Sequence, residues 1–474
     1  MTISFVWTSI FLISIIGCAR NIERAYFWLF AFLSALEING ITSTALVIGS
    51  FEVNVTDIVL AVLFLCSLTL LVRNVKVNKT LLFIGILVLC FAIFSFAFNL
   101  YLPYEGVSIP ATGSWDLLVF GSEHLQHVGI GARSYLVVIR LVMFVFIAWC
   151  TTAVLTGKDF LSIGSYALAF GKVQMAYGLF EFVTKALLGS DIAMKLAAFV
   201  FPANSAIVTD IVVRGGIVSL QAFCREPSHF ALAITLNLLI IIVLQANEYK
   251  RRFDYLWALI GFFLLLMSGA FTAMVGLFIT TLVFFYYLKR GEIVVEERSK
   301  VIIYLTGFMV VVAGAIYFVN TLAFSNNYYF DKLFGVFTNL DLIINRRYGG
   351  ALSTFDALPR IASMVECIRN FLDRPIFGIG PGVVSPFSGV VAILSQYGLV
   401  FFVAWLAFLF QYSKLATNDA DSVFFLGVVF ISGLLMFSGG YEYSFSWLLL
   451  GGLMQNTTHR HKCQDDSKLF KEYR

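Results

Sequence analysis

REPSHFALAITLNLLIIIVLQA, residues 225–246, sets an arginine, a glutamate and a histidine at the head of an apolar run. From Ser228 to Ala246 there is no Asp, Glu, Lys or Arg. At ~1.5 Å per residue, a helix of that length nearly spans the ~30 Å hydrocarbon layer of a bilayer. Similar runs recur along most of the 474 residues. The whole chain is 60% hydrophobic and only 13% charged, where a soluble domain carries about 25% charged residues. The reading that follows is an all-α, polytopic transmembrane helix bundle, a single integral membrane domain over 1–474.

Working outward from 228–246, candidate spans fall near 3–18, 26–48, 54–72, 80–100, 134–155, 160–186, 254–270, 272–288, 301–321, 385–411, 421–437 and 440–454. With 228–246 this makes about thirteen, of which about twelve are expected to cross. The IIGC at 15–18 has the look of a lipoprotein cleavage site. Arg20 and Arg24 follow it and no Lys or Arg precedes it, the reverse of a signal peptide, so 3–18 reads as a retained first span.

The loops alternate in charge. Arg20 and Arg24, then Arg73, Lys76 and Lys79, then Lys250, Arg251 and Arg252, then Lys289, Arg290, Arg298 and Lys300 occupy one set, joined by a basic tail over 455–474. The positive-inside tendency assigns this set to the cytoplasm. The loops between are then external, and three are long: about 101–133, 187–227 and 322–384. Loops this long in a compact protein are usually functional or disordered. Their Pro, Gly, aromatic and periodic apolar residues favour order. Transporters usually keep loops short on both sides and are built from related repeats; no repeat is apparent here.

At the head of the 228–246 span, Pro227 suits a first helical turn. Glu226 then lies where the helix dipole favours a negative charge. An interfacial ion pair of Arg225 with Glu226 explains these residues as well as catalysis does. The third long loop reads NRRYGGALSTFDALPRIASMVECIRNFLDRPIFGIGPG, 345–382. Ile361, Val365, Ile368 and Leu372 follow the i, i+4, i+7, i+11 spacing of one helical stripe, with Arg360, Arg369 and Asp373 on the other flank. This predicts an amphipathic helix at the outer membrane surface and a Gly-rich turn into the next span. Contact of its basic residues with lipid phosphates would alone account for that pattern.

The external loops hold Arg133, Arg214, Arg225, Arg346, Arg347, Arg360, Arg369 and Arg374. Arginine is disfavoured on that side, and its planar fork suits phosphate oxygens, so this set points to an anionic ligand. Arg140, Lys172, Gln174 and Glu181 fall within spans, where a charge costs on the order of 3 kcal/mol. Arg140 and Lys172 extend the basic site downward or pair with Glu181. His229 has a structural reading beside its catalytic one. Cys224 and Cys367 are candidates for a disulfide in an oxidising compartment. No CxxC or Cys/His spacing suggests a metal, and nothing suggests a nucleic-acid partner.

The RGG…REPSHFA stretch, KVQMAYGLFEF at 172–182, LLLMSGAFTAMVG at 264–276 and the loop ending RPIFGIGPG together resemble the O-antigen polymerase (Wzy-type) family, related to the O-antigen ligases. The resemblance covers most of the chain in layout but rests on these short motifs. Family members often have Ser-Arg in the third motif; here Ser268 is followed by Gly-Ala. The family's Arg, ten residues, Gly pattern is met by Arg369 and Gly380, whereas the position eleven after Arg214 is Arg225.

The resemblance implies an enzyme of the bacterial inner membrane acting at its periplasmic face. Its substrate would be an undecaprenyl-diphosphate-linked oligosaccharide, and a chain-length regulator in the same bilayer would be a partner. The growing glycan would leave its lipid diphosphate for a sugar hydroxyl of a new repeat unit. Arg214, Arg225, Arg360, Arg369 and Arg140 would stabilise the leaving diphosphate. Glu226, or His229 after it, would be the base for the attacking hydroxyl. No cofactor and no metal are expected. The alternatives are an O-antigen ligase acting on lipid A-core and a lipid-linked-sugar flippase. The absence of histidine from 322–384 favours the polymerase over the ligase.

Overall fold

A computed structural model describes residues 21–40, 44–48, 51–73, 75–108, 125–200, 213–214, 217–218, 220–224, 226–247, 254–268, 270–290, 343–346, 357–384, 386–415, 419–436 and 441–454. The candidate spans 3–18 and 301–321 and the basic tail lie outside the described residues.

The described chain is mostly helical. In order it forms α1 (Ile22–Ile38), β1 (Thr44–Ile48), β2 (Phe51–Asn54), α2 (Val55–Val72), α3 (Lys79–Tyr101), β3 (Val107–Ser108), β4 (Gln126–His127), α4 (Ala132–Val154) and α5 (Gly157–Phe182) with a π turn (Val183–Leu187). Then come α6 (Ile192–Val200), β5 (Val213–Arg214), β6 (Ile217–Val218), α7 (Pro227–Ala246), α8 (Asp254–Met267), α9 (Phe271–Lys289), α10 (Ala357–Asp373), α11 (Gly389–Lys414), α12 (Asp419–Leu435), a 3-10 turn (Tyr441–Tyr443) and α13 (Phe445–Met454). The described strands form three antiparallel two-stranded sheets.

The ends of the helices follow local chemistry. Asn78 accepts from the amides of Thr80 and Leu81 to open α3. Thr156 and Asp159 exchange bonds as a capping box at α5. Pro227 takes the first turn of α7, with Glu226 as its N-cap residue.

Among the described residues six helices, α2, α3, α4, α7, α9 and α11, are long and apolar enough to cross a bilayer, and α8, α12 and α13 are shorter apolar helices. The expectation of about twelve crossings rests on several boundaries that the structure moves. The 26–48 run is two elements: α1 ends at Ile38, and Thr44–Ile48 pairs with Phe51–Asn54. Gly40, at φ +60°, makes the break. The 440–454 run gives a helix only from Phe445, preceded by the 3-10 turn.

α7 sits at the centre. Its apolar window is 89% buried, against 33% for α2 and 28% for α3, whose remaining surface faces outward. α5, α8 and α9 pack around α7, α1 packs on α2 and α5, and α11 packs on α3 and α12. Small residues allow the close approaches, as in other helix bundles of membranes. A Cβ at Gly171 would meet Asn237 Oδ1 at 1.9 Å, and one at Gly276 would meet Thr235 Oγ1 at 2.0 Å.

The helices run up and down, so the bundle has two ends. Arg24, Arg73, Lys79, Lys158, Lys289 and Lys414 stand at the termini that meet at one end. At the other end meet the C-termini of α1, α3 and α5 and the N-termini of α2, α4, α7, α11 and α13. Glu37 at the end of α1 accepts the amide of Ser446 in the first turn of α13. Asn99 near the end of α3 accepts from Arg374, just after α10.

Candidate functional site

The chemistry-bearing residues gather at the end opposite the basic one, in three groups. The first is the approach to α7. Glu181, near the end of α5, is fully buried and accepts the amides of Gln221 and Ala222, the latter at 2.6 Å. Lys185 sits on the same carboxylate at 2.5 Å. Cys224 receives Gln174 Nε2 and lies against Asn39. This framework fixes the chain where it delivers Glu226, whose carboxylate accepts the Ser228 hydroxyl at 3.2 Å and caps no backbone amide of α7. His229 is on the exposed side of the first turn. Arg225 lies outside the described residues, and of Arg214 only the strand backbone is described.

The second group is α10 with the turn after it. The helix expected at 345–382 is present, but its buried face is polar and small: Ala362, Ser363, Glu366, Cys367 and Asn370. The apolar stripe points out, with Ile368 43% and Leu372 67% exposed. Fully buried Glu366 takes both forks of Arg346, at 3.1 and 2.8 Å, and Arg369 Nη1 at 2.5 Å. Arg369 Nη2 also donates to the carbonyls of Ile343 and Ile344. Two guanidiniums on one carboxylate leave one formal positive charge on a partly exposed surface. Arg360 is on α10, and its side chain is outside the described set.

Arg374 is used up in holding the turn. It donates to Asn99 Oδ1, Leu102 O and Pro103 O and lies over the rings of Phe98 and Tyr104. The Gly-rich turn then crosses α11, where Gln396 accepts the Gly382 amide and donates to Val384 O. Gly378 requires its positive φ and its missing side chain alike, since a Cβ there would meet the backbone of Gln396 at 2.4 Å. Gly382 rests against the backbone of Arg133 in the first turn of α4, so this loop is brought beside the third group.

That group centres on the 3-10 turn. Arg140 binds Asp57 at 2.5 Å and lies over the Tyr443 ring, 5.9 Å from its centroid. Glu442 is 2% exposed. Trp405 Nε1 donates to its backbone carbonyl at 2.9 Å, and the Tyr397 hydroxyl faces its carboxylate at 3.5 Å. Burial raises the Glu442 carboxyl to about 7, although the charges of Arg133 and Arg140 act in the opposite direction.

Several expectations change. Arg140 and Lys172 do not pair with Glu181: Arg140 has Asp57, Lys172 has Asp254 at 2.6 Å, and Glu181 has Lys185. Cys224 and Cys367 are free and buried in separate clusters, and burial pushes each thiol up to about 12. The arginines counted as a basic surface are in part internally neutralised. Sequence reasoning found them but missed the carboxylates Asp57, Glu366 and Glu442. The available signals were the Asn54…Asp57 cap spacing and the polar YEYSFS insertion at 441–446 between two apolar runs.

No protein-family model matches the chain, and no curated protein matches it.

Proposed function

We propose that the chain is a polysaccharide repeat-unit polymerase of the bacterial inner membrane, joining polyprenyl-diphosphate-linked oligosaccharides at the periplasmic face. The observation that carries this reading is the build of α10. Its apolar stripe points outward at Ile368 and Leu372 while Arg346 and Arg369 converge on its inner flank around a single carboxylate. Such a helix lies with its apolar side at acyl-chain depth and holds its guanidiniums at the level of a lipid diphosphate. Guanidinium forks suit the oxygens of that leaving group. Arg133, in the first turn of α4, stands beside the loop that follows α10, and Arg140 lies two turns further along the same helix.

In this reading the acceptor sugar hydroxyl attacks the anomeric carbon of the growing chain, and the polyprenyl diphosphate departs with the bonding electrons. Chain residues supply charge stabilisation for the diphosphate and a base for the hydroxyl proton. The test is purified protein with a synthetic lipid-linked repeat unit and EDTA. Polymer is expected. A null strain separates the other readings: core capped by single repeats indicates a polymerase, carrier-bound polymer with bare core a ligase, and repeat units trapped inside a flippase.

A further inference from the structure

Glu442 is one of two described carboxylates at this end whose acidity burial weakens and that hydroxyl and amide groups hold in place of a cation, the other being Glu37, which accepts the Ser446 amide. Asp57, Glu181 and Glu366 each carry a cation within 2.5 to 2.8 Å. No such bond between a cation and Glu442 is among those described; its carboxylate faces the Tyr397 hydroxyl instead. The elements packed on the 3-10 turn are α11 and α4. They present Tyr397 from α11 and Arg133 and Arg140 from α4, with Tyr443 adjacent in the turn. Glu37 of α1 meets the chain just beyond the turn, where it accepts the Ser446 amide and is itself raised to about 7 by burial. Arg140 is already engaged by Asp57. Arg133 is exposed and Arg140 one-third exposed, so the arginine side is the flank through which the carboxylate meets a substrate.

Building on the polymerase reading above, we infer that Glu442 is the catalytic base that accepts the proton of the attacking sugar hydroxyl, in a site whose arginine wall is Arg133 and Arg140. The hydroxyl oxygen forms the new bond to the anomeric carbon, and the bond from that carbon to the diphosphate oxygen breaks. The bonding electrons leave with the polyprenyl diphosphate. The hydroxyl proton moves to Glu442, which returns it to water before the next cycle. Burial supports this role: a carboxyl poised near 7 is half deprotonated at neutral pH and basic enough to take a proton. Tyr397 orients the carboxylate, and the Trp405 bond holds the turn in place.

The experiment compares wild-type protein, Glu442→Gln and Glu442→Asp in nanodiscs, with a synthetic polyprenyl-diphosphate-linked repeat unit as substrate. Elongation is followed from pH 5.5 to 9, with substrate binding measured separately. Glu442→Gln should elongate at least about a hundredfold more slowly and bind substrate within about threefold of wild type. The wild-type rate should rise through a limb near pH 7, and Glu442→Asp should retain measurable elongation with that limb displaced. Elongation by Glu442→Gln within about threefold of wild type overturns the inference while leaving the polymerase reading intact. So does a wild-type profile without a limb between pH 6 and 8, which decides the matter even if the glutamine variant misfolds. If wild-type protein forms no polymer, the polymerase reading falls and this inference with it.

Discussion

Glu366 takes two guanidiniums because one would leave a buried carboxylate half satisfied. Arg346 occupies both oxygens and Arg369 adds a third bond while tying down the 343–344 carbonyls. Arg346→Ala removes two of the three bonds but leaves Arg369, so it should cost about 1–3 kcal/mol. Arg346→Ala with Arg369→Ala strands the charge and should cost about 3–5 kcal/mol. A double-mutant cycle by thermal melting in detergent should show coupling above about 1 kcal/mol; additivity would mean the carboxylate finds another partner. Glu442 behaves oppositely. The folded protein holds its proton up to about pH 7, the unfolded chain only to about 4.5, so its contribution to stability declines as pH rises between those values. Glu442→Gln lacks that decline and should gain up to about 3 kcal/mol relative to wild type between pH 5 and 8. A pH-independent difference in melting would contradict the buried, ionisable carboxyl. The arginines were legible in sequence because residue type and the alternation of charge between loops are one-dimensional patterns. Their carboxylates were not, since Asp57 meets Arg140 across 83 positions and Glu366 looks like any helix-face glutamate.

At the scale of elements, chain periodicity located most of the long helices but could not locate their breaks. ITSTALVIGS at 41–50 is apolar enough to continue a helix, and its β-branched residues suit a strand equally well; Asn39 and Gly40 were the available stop signal. The same ambiguity hid the kink in α11. Gly398, at φ 82° and ψ 179°, lies inside an otherwise helical run, and a Cβ there would meet Ile376 O at 2.2 Å. Gly398→Ala should cost about 2–3 kcal/mol, combining a backbone region reserved for glycine with that collision, and should loosen the 374–382 turn in hydrogen exchange. α8 and α5 are linked by the Lys172–Asp254 pair, with Asp254 only 1% exposed. Lys172→Leu leaves that carboxylate unpaired and should cost about 3 kcal/mol or more, whereas Lys172→Leu with Asp254→Leu should recover most of the loss. Failure of the double variant to recover would give the pair a role beyond packing.

The whole molecule distributes charge in a way that bears on its orientation. At one end Arg24, Arg73, Lys79, Lys158 and Lys289 occupy helix termini. At the other, Arg140, Lys185, Lys195, Arg346 and Arg369 each sit on a carboxylate. If that end faces outward, this pairing reduces the weight of its cations against the positive-inside bias, with Arg346 and Arg369 keeping one positive charge between them on Glu366. The two ends should therefore be separable by labelling from one side. Glu105 is exposed and follows Tyr104, whose hydroxyl bonds Asn370 and Asp373 of α10; Lys158 is exposed in the first turn of α5 at the basic end. In a cysteine-free background, Glu105→Cys should react with an impermeant maleimide in spheroplasts, and Lys158→Cys only after permeabilisation. The reverse pattern would put Arg346, Arg369 and Glu442 on the cytoplasmic side. A diphosphate-linked chain assembled outside would then never reach them, and the polymerase reading would fail whatever their local geometry.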